Sequence, residues 1–116
     1  MRRHSASVTV LRDYLERRRP VYFTRSELNL LLGLYSRHVA RGEWRDYAID
    51  QGEGMALFSV FRHSHEGPAY RVVKAAGAAT EFTVWRGRRR VRRASSLAAV
   101  LAYFECPLTL VPAASL

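Results

Sequence analysis

The chain has 116 residues, of which 48% are hydrophobic and 25% charged, and its formal net charge is +9. This length supports one domain with a single core, and the composition is that of a globular protein rather than a disordered one. The single cysteine excludes an internal disulfide, and no run of about 20 apolar residues is present to span a membrane. We therefore expect a cytoplasmic protein without a membrane partner.

The positive charge is concentrated in two short stretches. Residues 86–93, RGRRRVRR, carry six arginines, and residues 1–19 carry a net four positive charges, so the rest of the chain is close to neutral. Local basic segments of this kind attract acidic or phosphate-bearing partners. We interpret residues 1–19 as a basic N-terminal arm that is mobile or orders on docking, and residues 20–116 as a single domain.

The domain is predicted to open with a short strand, VYF, and a long helix. The helix begins after Thr24, because TRSE has the pattern of a capping box in which Glu27 reaches back to the cap. Gly42 is expected to end the helix in a left-handed conformation. Between these points apolar residues recur at helical spacing and predict a buried stripe formed by Leu28, Leu31, Leu32, Tyr35 and Val39.

The apolar period then changes to two, which indicates strands. Short connections predict an antiparallel meander of WRDYAID, MALFSVFR, AYRVVK, TEFTVWR and RRRVRR. In its first strand we expect Tyr47 and Ile49 on one face, with Trp44 and Ala48 on the other. A second helix is predicted in ASSLAAVLAYFECP, capped by Ser95 or Ser96, with LTLV as a final edge strand.

Together these elements define an α+β fold. It consists of an antiparallel β-meander of about four to six strands, one long helix in the N-terminal half and one C-terminal helix. Several strands carry apolar residues on both faces, so we expect both sides of the sheet to be at least partly covered.

The sequence shows no catalytic or metal-binding constellation. His63 and His65 form an H-x-H pair, but zinc sites use three or four ligands, and no further histidine or cysteine has a matching spacing. Asp46 and Asp50 would lie about 13 Å apart along a strand, which is wider than acid–base carboxylate pairs. We therefore predict no metal and no cofactor, and we favour a non-enzymatic role.

Cross-strand ion pairs are the simpler role for these carboxylates. Asp46 and Asp50 are expected to pair with Arg62 or Arg71 on neighbouring strands, because opposite charges stabilise adjacent positions of a sheet.

Two candidate surfaces remain. The first combines aromatic and arginine side chains, which dominate binding hot spots, and consists of Trp44, Arg45, Asp46, Tyr47, Arg62, Tyr70 and Arg71. In the alternative interpretation these aromatics are core residues and the charges are solvated. The second surface is the arginine run itself, with Arg86, Arg88, Arg89, Arg90, Arg92 and Arg93.

A regular strand would divide the arginine run between two faces. Arg88, Arg90 and Arg92 would share one face, and Arg89, Val91 and Arg93 the other. Val91 is then the residue expected to face the core, with the neighbouring arginines extending outward from it.

The segment VYFTRSELNLLLGLYSRHVARGEWRDYAID, followed by FSVFR and PAYRVVK, resembles a bacterial family known only as domain of unknown function 2794. The likeness extends over roughly residues 20–111, and GEWRDYAID, SVFR and P-x-Y-R are its more specific parts. This resemblance implies a small cytoplasmic protein of one domain with no assigned activity.

Two functions stay open at this point. We favour a non-enzymatic binding or accessory module that acts through a protein partner. The alternative is a nucleic-acid-binding protein that uses the arginine-rich hairpin 86–93. Neither the identity of the partner nor the oligomeric state follows from the sequence.

Overall fold

The computed structural model of the protein describes residues 19–63 and 65–105. Its elements in chain order are β1 (Pro20–Val21), α1 (Arg25–Ala40), β2 (Asp46–Glu53), β3 (Met55–Phe61), β4 (Tyr70–Ala75), β5 (Glu81–Arg86), β6 (Arg89–Ala94), α2 (Leu97–Leu101) and a 3-10 turn (Ala102–Glu105). The predicted α+β class is confirmed. The predicted arm, except for Arg19, and the predicted LTLV strand lie outside the described residues.

The six strands form one antiparallel sheet whose spatial order is the order of the chain, from β1 to β6. This confirms the predicted meander. Two of its tightest turns contain glycines with positive φ, Gly54 at 81° between β2 and β3 and Gly87 at 62° between β5 and β6. Side chains other than glycine rarely adopt this conformation, which explains these residues at these turns.

Helix α1 begins as the capping box predicts. The Glu27 backbone N–H donates to Thr24 Oγ1 at 3.1 Å, and the Thr24 N–H donates to Glu27 Oε1 at 2.8 Å. The helix ends at Ala40, and Gly42 follows with φ 75°. Both predicted ends are therefore confirmed.

The buried stripe of α1 is confirmed except at its C-terminal end. Leu31 is buried, and Leu28, Leu32 and Tyr35 pack partly buried against the core. Val39 is exposed instead, and Leu34 and His38 are buried in addition to the predicted residues. The phase with His38 inward allows this side chain to pack against Trp44.

Both helices pack on the same face of the sheet. The core consists of residues from α1 and α2 and of the strand residues that face them, among them Phe58, Val60, Val72 and Val84. Lys74 on this face bonds to Glu27 at the start of α1. On the opposite face, Leu57, Val73 and Trp85 are only half-buried and do not join this core.

Two expectations about side-chain placement are wrong. Trp44 precedes β2, so it does not follow the alternation of that strand, and it lies in the core on the helix side. Asp46 and Asp50 form no ion pair with Arg62 or Arg71. The Arg71 Nη2 instead donates to the Gly87 carbonyl at 2.7 Å.

None of the helices in the described part of the chain has the length and apolar character needed to cross a bilayer.

Candidate binding cleft

A cleft of about 960 Å³ lies at the end of the sheet where β2 begins, β3 ends and β4 begins. The last turn of α1, the segment between α1 and β2, and the 3-10 turn surround it. Its volume is in the range of clefts that hold a small molecule or a short peptide segment.

Aromatic rings form the floor of this cleft. Trp44 is only 4% exposed and stacks on His38, with ring centroids 4.0 Å apart and planes at 14°. Phe104 meets the Trp44 ring edge-on at 5.5 Å and the Tyr70 ring at 5.0 Å, and Tyr103 is 6.1 Å from Tyr70. Edge-to-face contacts of this kind hold aromatic rings in defined orientations, so the floor is preorganised.

The 3-10 turn is held over the cleft by an ion pair with α1. Arg37 Nη2 lies 3.1 Å from Glu105 Oε2, next to Phe104 in the chain. Both side chains are more than half exposed, so this pair stabilises the contact only weakly. The packing of Phe104 against Trp44 and Tyr70 is the stronger constraint.

His38 and Glu43 form one wall of the cleft. His38 Nδ1 and Glu43 Oε1 are 2.5 Å apart, and the Glu43 backbone N–H donates to the His38 carbonyl at 2.9 Å. The His38 ring is nearly buried, whereas the Glu43 carboxylate is about half exposed. Glu43 therefore orients the imidazole ring that stacks on Trp44.

Two arginines give the rim of the cleft its positive charge. Arg45, Arg62 and the neighbouring His63 are all exposed, and the structure pairs none of them with a carboxylate of a described residue. The backbone N–H of Arg45 donates to the Phe61 carbonyl at 2.8 Å, which fixes the start of β2 beside the end of β3. Arg45 and Arg62 thus lie just outside the paired ends of β2 and β3, at the mouth of the cleft.

The charge environment of Tyr70 connects the cleft with the arginine run. Burial raises the pKa of Tyr70, and the neighbouring Tyr103 hydroxyl raises it further, while the positive charges of Arg86 and Arg62 act in the opposite direction. Arg86 is the last residue of β5 and Tyr70 is the first residue of β4. Because these two strands are antiparallel neighbours, the cleft and the β5–β6 hairpin lie at the same end of the sheet.

A register shift between Val84 and Trp85 changes the predicted alternation of the arginine run. Arg90 is opposite Trp85 and Arg92 is opposite Val84, so Val91 is the extra residue of a bulge. Val91 packs against the core, as predicted. The predicted common face of Arg90 and Arg92 is wrong, since their cross-strand partners lie on opposite faces of β5.

The six arginines of the run are thereby distributed over three environments. Arg86, Arg88 and Arg89 surround the turn, and all three are exposed. Arg92 lies on the helix side, with Nη1 3.5 Å from the Ala99 carbonyl. On the face of the sheet opposite the helices, Arg93 Nε is 3.2 Å from Glu81 Oε2. Arg90 lies beside Trp85 on the same face.

The first predicted surface is only partly assembled. Trp44, Arg45, Arg62 and Tyr70 meet in the cleft. Tyr47 instead packs between Tyr35 and Phe58 on the helix side, Asp46 Oδ1 accepts from the Tyr47 N–H, and Arg71 bonds to the hairpin turn.

Sequence reasoning missed four residues of the cleft, namely His38, Glu43, Tyr103 and Phe104. The spacing of Leu31, Leu34 and His38, at three and four residues, was the available signal for a buried histidine. Within residues 19–63 and 65–105, no group of three or more histidine, cysteine, aspartate or glutamate residues is placed to hold a metal ion.

These features define a small α+β protein with an aromatic, cationic cleft. The chain belongs to the family described as "Protein of unknown function (DUF2794)", whose model matches residues 21–95. No curated protein sequence and no solved structure matches the chain. The matched segment contains the rim arginines and the arginine run, whereas Tyr103 and Phe104 follow it.

Proposed function

We propose that the protein is a non-enzymatic binding module whose cleft takes up an acidic segment of a protein partner. One observation carries the proposal: Arg45, Arg62 and His63 surround an aromatic floor, and none of them has a carboxylate partner among the described residues. The single cysteine leaves the cytoplasm as the compartment that we propose.

The chemistry of the cleft indicates what such a segment would contain. A guanidinium group donates two parallel hydrogen bonds to a carboxylate, and Arg45 and Arg62 line the same cleft, where one short segment would meet both. The rings of Tyr70, Tyr103 and Phe104 offer an apolar surface beside these charges. A carboxylate next to an aromatic or aliphatic side chain satisfies both features.

The residues of the cleft favour binding over catalysis. The carboxylate of Glu43 is already bonded to His38, and His38 is buried against Trp44. We assign this pair a positioning role, because the imidazole ring is stacked on Trp44 and little of the His38 side chain is exposed to a ligand.

A fluorescence titration tests the proposal with defined probes. The chain has two tryptophans, so Trp85→Phe leaves Trp44 as the sole indole reporter. We expect the peptide Ac-EEFEE-NH2 to change the Trp44 emission in a saturable way, and Ac-KKFKK-NH2 to leave it unchanged. Equal responses to both peptides would contradict the proposal.

Matched variants locate the binding site. Arg45→Ala/Arg62→Ala should weaken the acidic peptide at least tenfold, since each charge-assisted hydrogen bond contributes about 1.5–3 kcal/mol. Arg25→Ala removes an exposed arginine at the opposite end of α1 and should leave affinity within about twofold. In an affinity pull-down from native lysate treated with nuclease, the same double variant should lose a stoichiometric protein that the control retains.

Nucleic-acid binding is the second candidate, because the hairpin lies at the same end of the sheet as the cleft. The side chains of Arg86, Arg88 and Arg89 are exposed there and form no ion pair with a described residue. An electrophoretic mobility shift with nonspecific DNA and RNA tests this candidate. Arg88→Ala/Arg89→Ala/Arg90→Ala should weaken the shift and flatten its salt dependence. No shift at low salt would exclude it.

A further inference from the structure

The face of the sheet opposite the helices carries a continuous row of residues across five strands. Asp50 pairs with Leu57, Leu57 with Val73, Val73 with Thr83, and Thr83 with Arg93. Directly opposite residues of an antiparallel sheet point to the same side, so the row has an acid at the β2 end, the apolar Leu57 and Val73 with the buried Thr83 between the two ends, and a base at the β6 end.

A second row runs beside the first on the same face. It consists of Ala48, Ser59, Arg71, Trp85 and Arg90. The Trp85 indole N–H donates to Thr83 Oγ1 at 3.0 Å, so the ring leans along the strand toward the first row. Leu57, Val73 and Trp85 remain half-buried, and both described helices lie on the other face.

We infer that this face binds a second copy of the same chain in a two-fold symmetric dimer. The first row has Asp50 at one end and Arg93 at the other. A two-fold axis that runs parallel to the strands along β4 therefore brings opposite charges of the two copies together. Rotation about that axis places β2 of one copy over β6 of the other. Asp50 of each copy then faces Arg93 of its partner, and the Val73 side chains meet at the centre. Arg71 also lies on β4, but its bond to the Gly87 carbonyl draws the guanidinium toward the hairpin and away from the axis.

Geometry permits this arrangement. Five strands spaced about 4.8 Å apart span roughly 19 Å, and packed sheets lie about 10 Å apart, a gap that long arginine side chains can bridge. Arg93 and Asp50 are exposed in the single chain. Arg93 Nε meets Glu81 Oε2 of its own chain at 3.2 Å, so the Nη groups of Arg93 are the donors that we assign to Asp50 of the partner. The contact area is that of one small sheet face, so the dimer belongs to the weak class that depends on protein concentration.

The distribution of charge favours a second copy over nucleic acid as the occupant. Arg90 and Arg93 would suit phosphates, but Asp50 and Glu81 on the same face would repel them. A partner with the reverse order of charges matches Asp50 at one edge and Arg93 at the other, and a second copy of this chain supplies that order.

Sedimentation velocity of the nuclease-treated full chain, from about 1 µM to 500 µM, provides the test. We expect the wild type to shift from monomer to dimer over this range, while Asp50→Arg and Arg93→Glu each raise the dimer dissociation constant at least tenfold. Either variant alone would bring like charges together at both ends of the interface.

An equimolar mixture of the two variants is the decisive sample. In the mixed pair both charge contacts become attractive, so Asp50→Arg and Arg93→Glu should associate with each other about as tightly as the wild type does with itself. Such rescue also shows that both variants are folded. A monomeric wild type at 500 µM, unchanged self-association of either variant, or failure of the mixture to associate would each overturn the inference.

Binding to the cleft is independent of this face. The peptide titration on Trp44 therefore fails or succeeds separately from the sedimentation experiment, and association that disappears after nuclease treatment would assign the face to nucleic acid and refute the dimer.

Discussion

Lys74 is the only lysine of the chain, and its ammonium group lies largely inside the fold. Its Nζ is 2.8 Å from Glu27 Oε1 and donates to the Tyr22 carbonyl, also at 2.8 Å. The two side chains of the ion pair are 14% and 18% exposed. The same Glu27 oxygen accepts the Thr24 N–H of the capping box, so this contact joins the centre of the sheet to the start of α1.

Lys74→Met removes the charge and keeps a similar length of apolar side chain. Loss of one partner from a fully buried ion pair costs about 3–5 kcal/mol, and an exposed pair contributes less than about 1 kcal/mol. Because both side chains are mostly buried, we expect the free energy of unfolding to fall by about 2–3 kcal/mol. Urea denaturation followed by circular dichroism measures this change, with an unchanged m-value.

The double variant Lys74→Met/Glu27→Gln isolates the interaction between the two side chains. Its loss of stability should be smaller than the sum of the single losses by about 1–2 kcal/mol, since the second substitution removes a carboxylate that the first has already left unpaired. Additive losses, or a single variant within about 0.5 kcal/mol of the wild type, would refute the reasoning.

Acid titration gives an independent measure of the same contact. Burial by itself would raise the pKa of Glu27, but the hydrogen bonds from Lys74 and from the Thr24 N–H, with the Lys74 charge, outweigh it and lower the pKa below 4.5. The stabilisation is therefore complete above about pH 4.5 and is lost as the pH falls through the lowered value. Lys74→Met should decrease the slope of this loss.

Three further predictions concern the cap, the core and the cleft. Thr24→Ala should lower the free energy of unfolding by about 1 kcal/mol through loss of the N-cap, whereas Thr24→Ser should restore most of it. Leu31→Ala, at a fully buried position, should cost about 2–5 kcal/mol in the same urea assay; a cost below 1 kcal/mol would contradict its place in the core. Burial and Tyr103 raise the pKa of Tyr70 above 10.0, so the stabilisation by its neutral phenol is complete below pH 10 and declines as the pH rises through the raised value. Tyr70→Phe should reduce this alkaline decline, and an identical pH profile for the variant would contradict it.

Local signals account for the parts of the fold that the sequence predicted. The capping box at Thr24 and the glycines at the turns act through the backbone within a few residues. The meander follows from short connections, which leave antiparallel neighbours as the accessible pairing. Val91 was placed correctly because a single valine among arginines has only one favourable environment.

The errors all concern contacts between distant segments. The register shift in β6 depends on how that strand pairs with β5, and it moved Arg90 and Arg92 to different faces. The predicted ion pairs of Asp46 and Asp50 failed because Phe61 and Leu57 are their actual cross-strand neighbours. The cleft could not be predicted because it depends on the contact between Phe104 and Trp44. These residues are 60 positions apart, and the apolar periodicity of the sequence carries no information about contacts at that distance.

The engaged ammonium group of Lys74 has a consequence for chemical labelling. Acylating reagents attack the free, uncharged amine, and the only side-chain amine of this protein is bonded to a carboxylate and a carbonyl inside the fold. Its acetylation therefore requires the contact between β4 and α1 to open. The rate of modification at this one position, read by mass spectrometry, would report that opening in the unaltered protein, without an introduced probe.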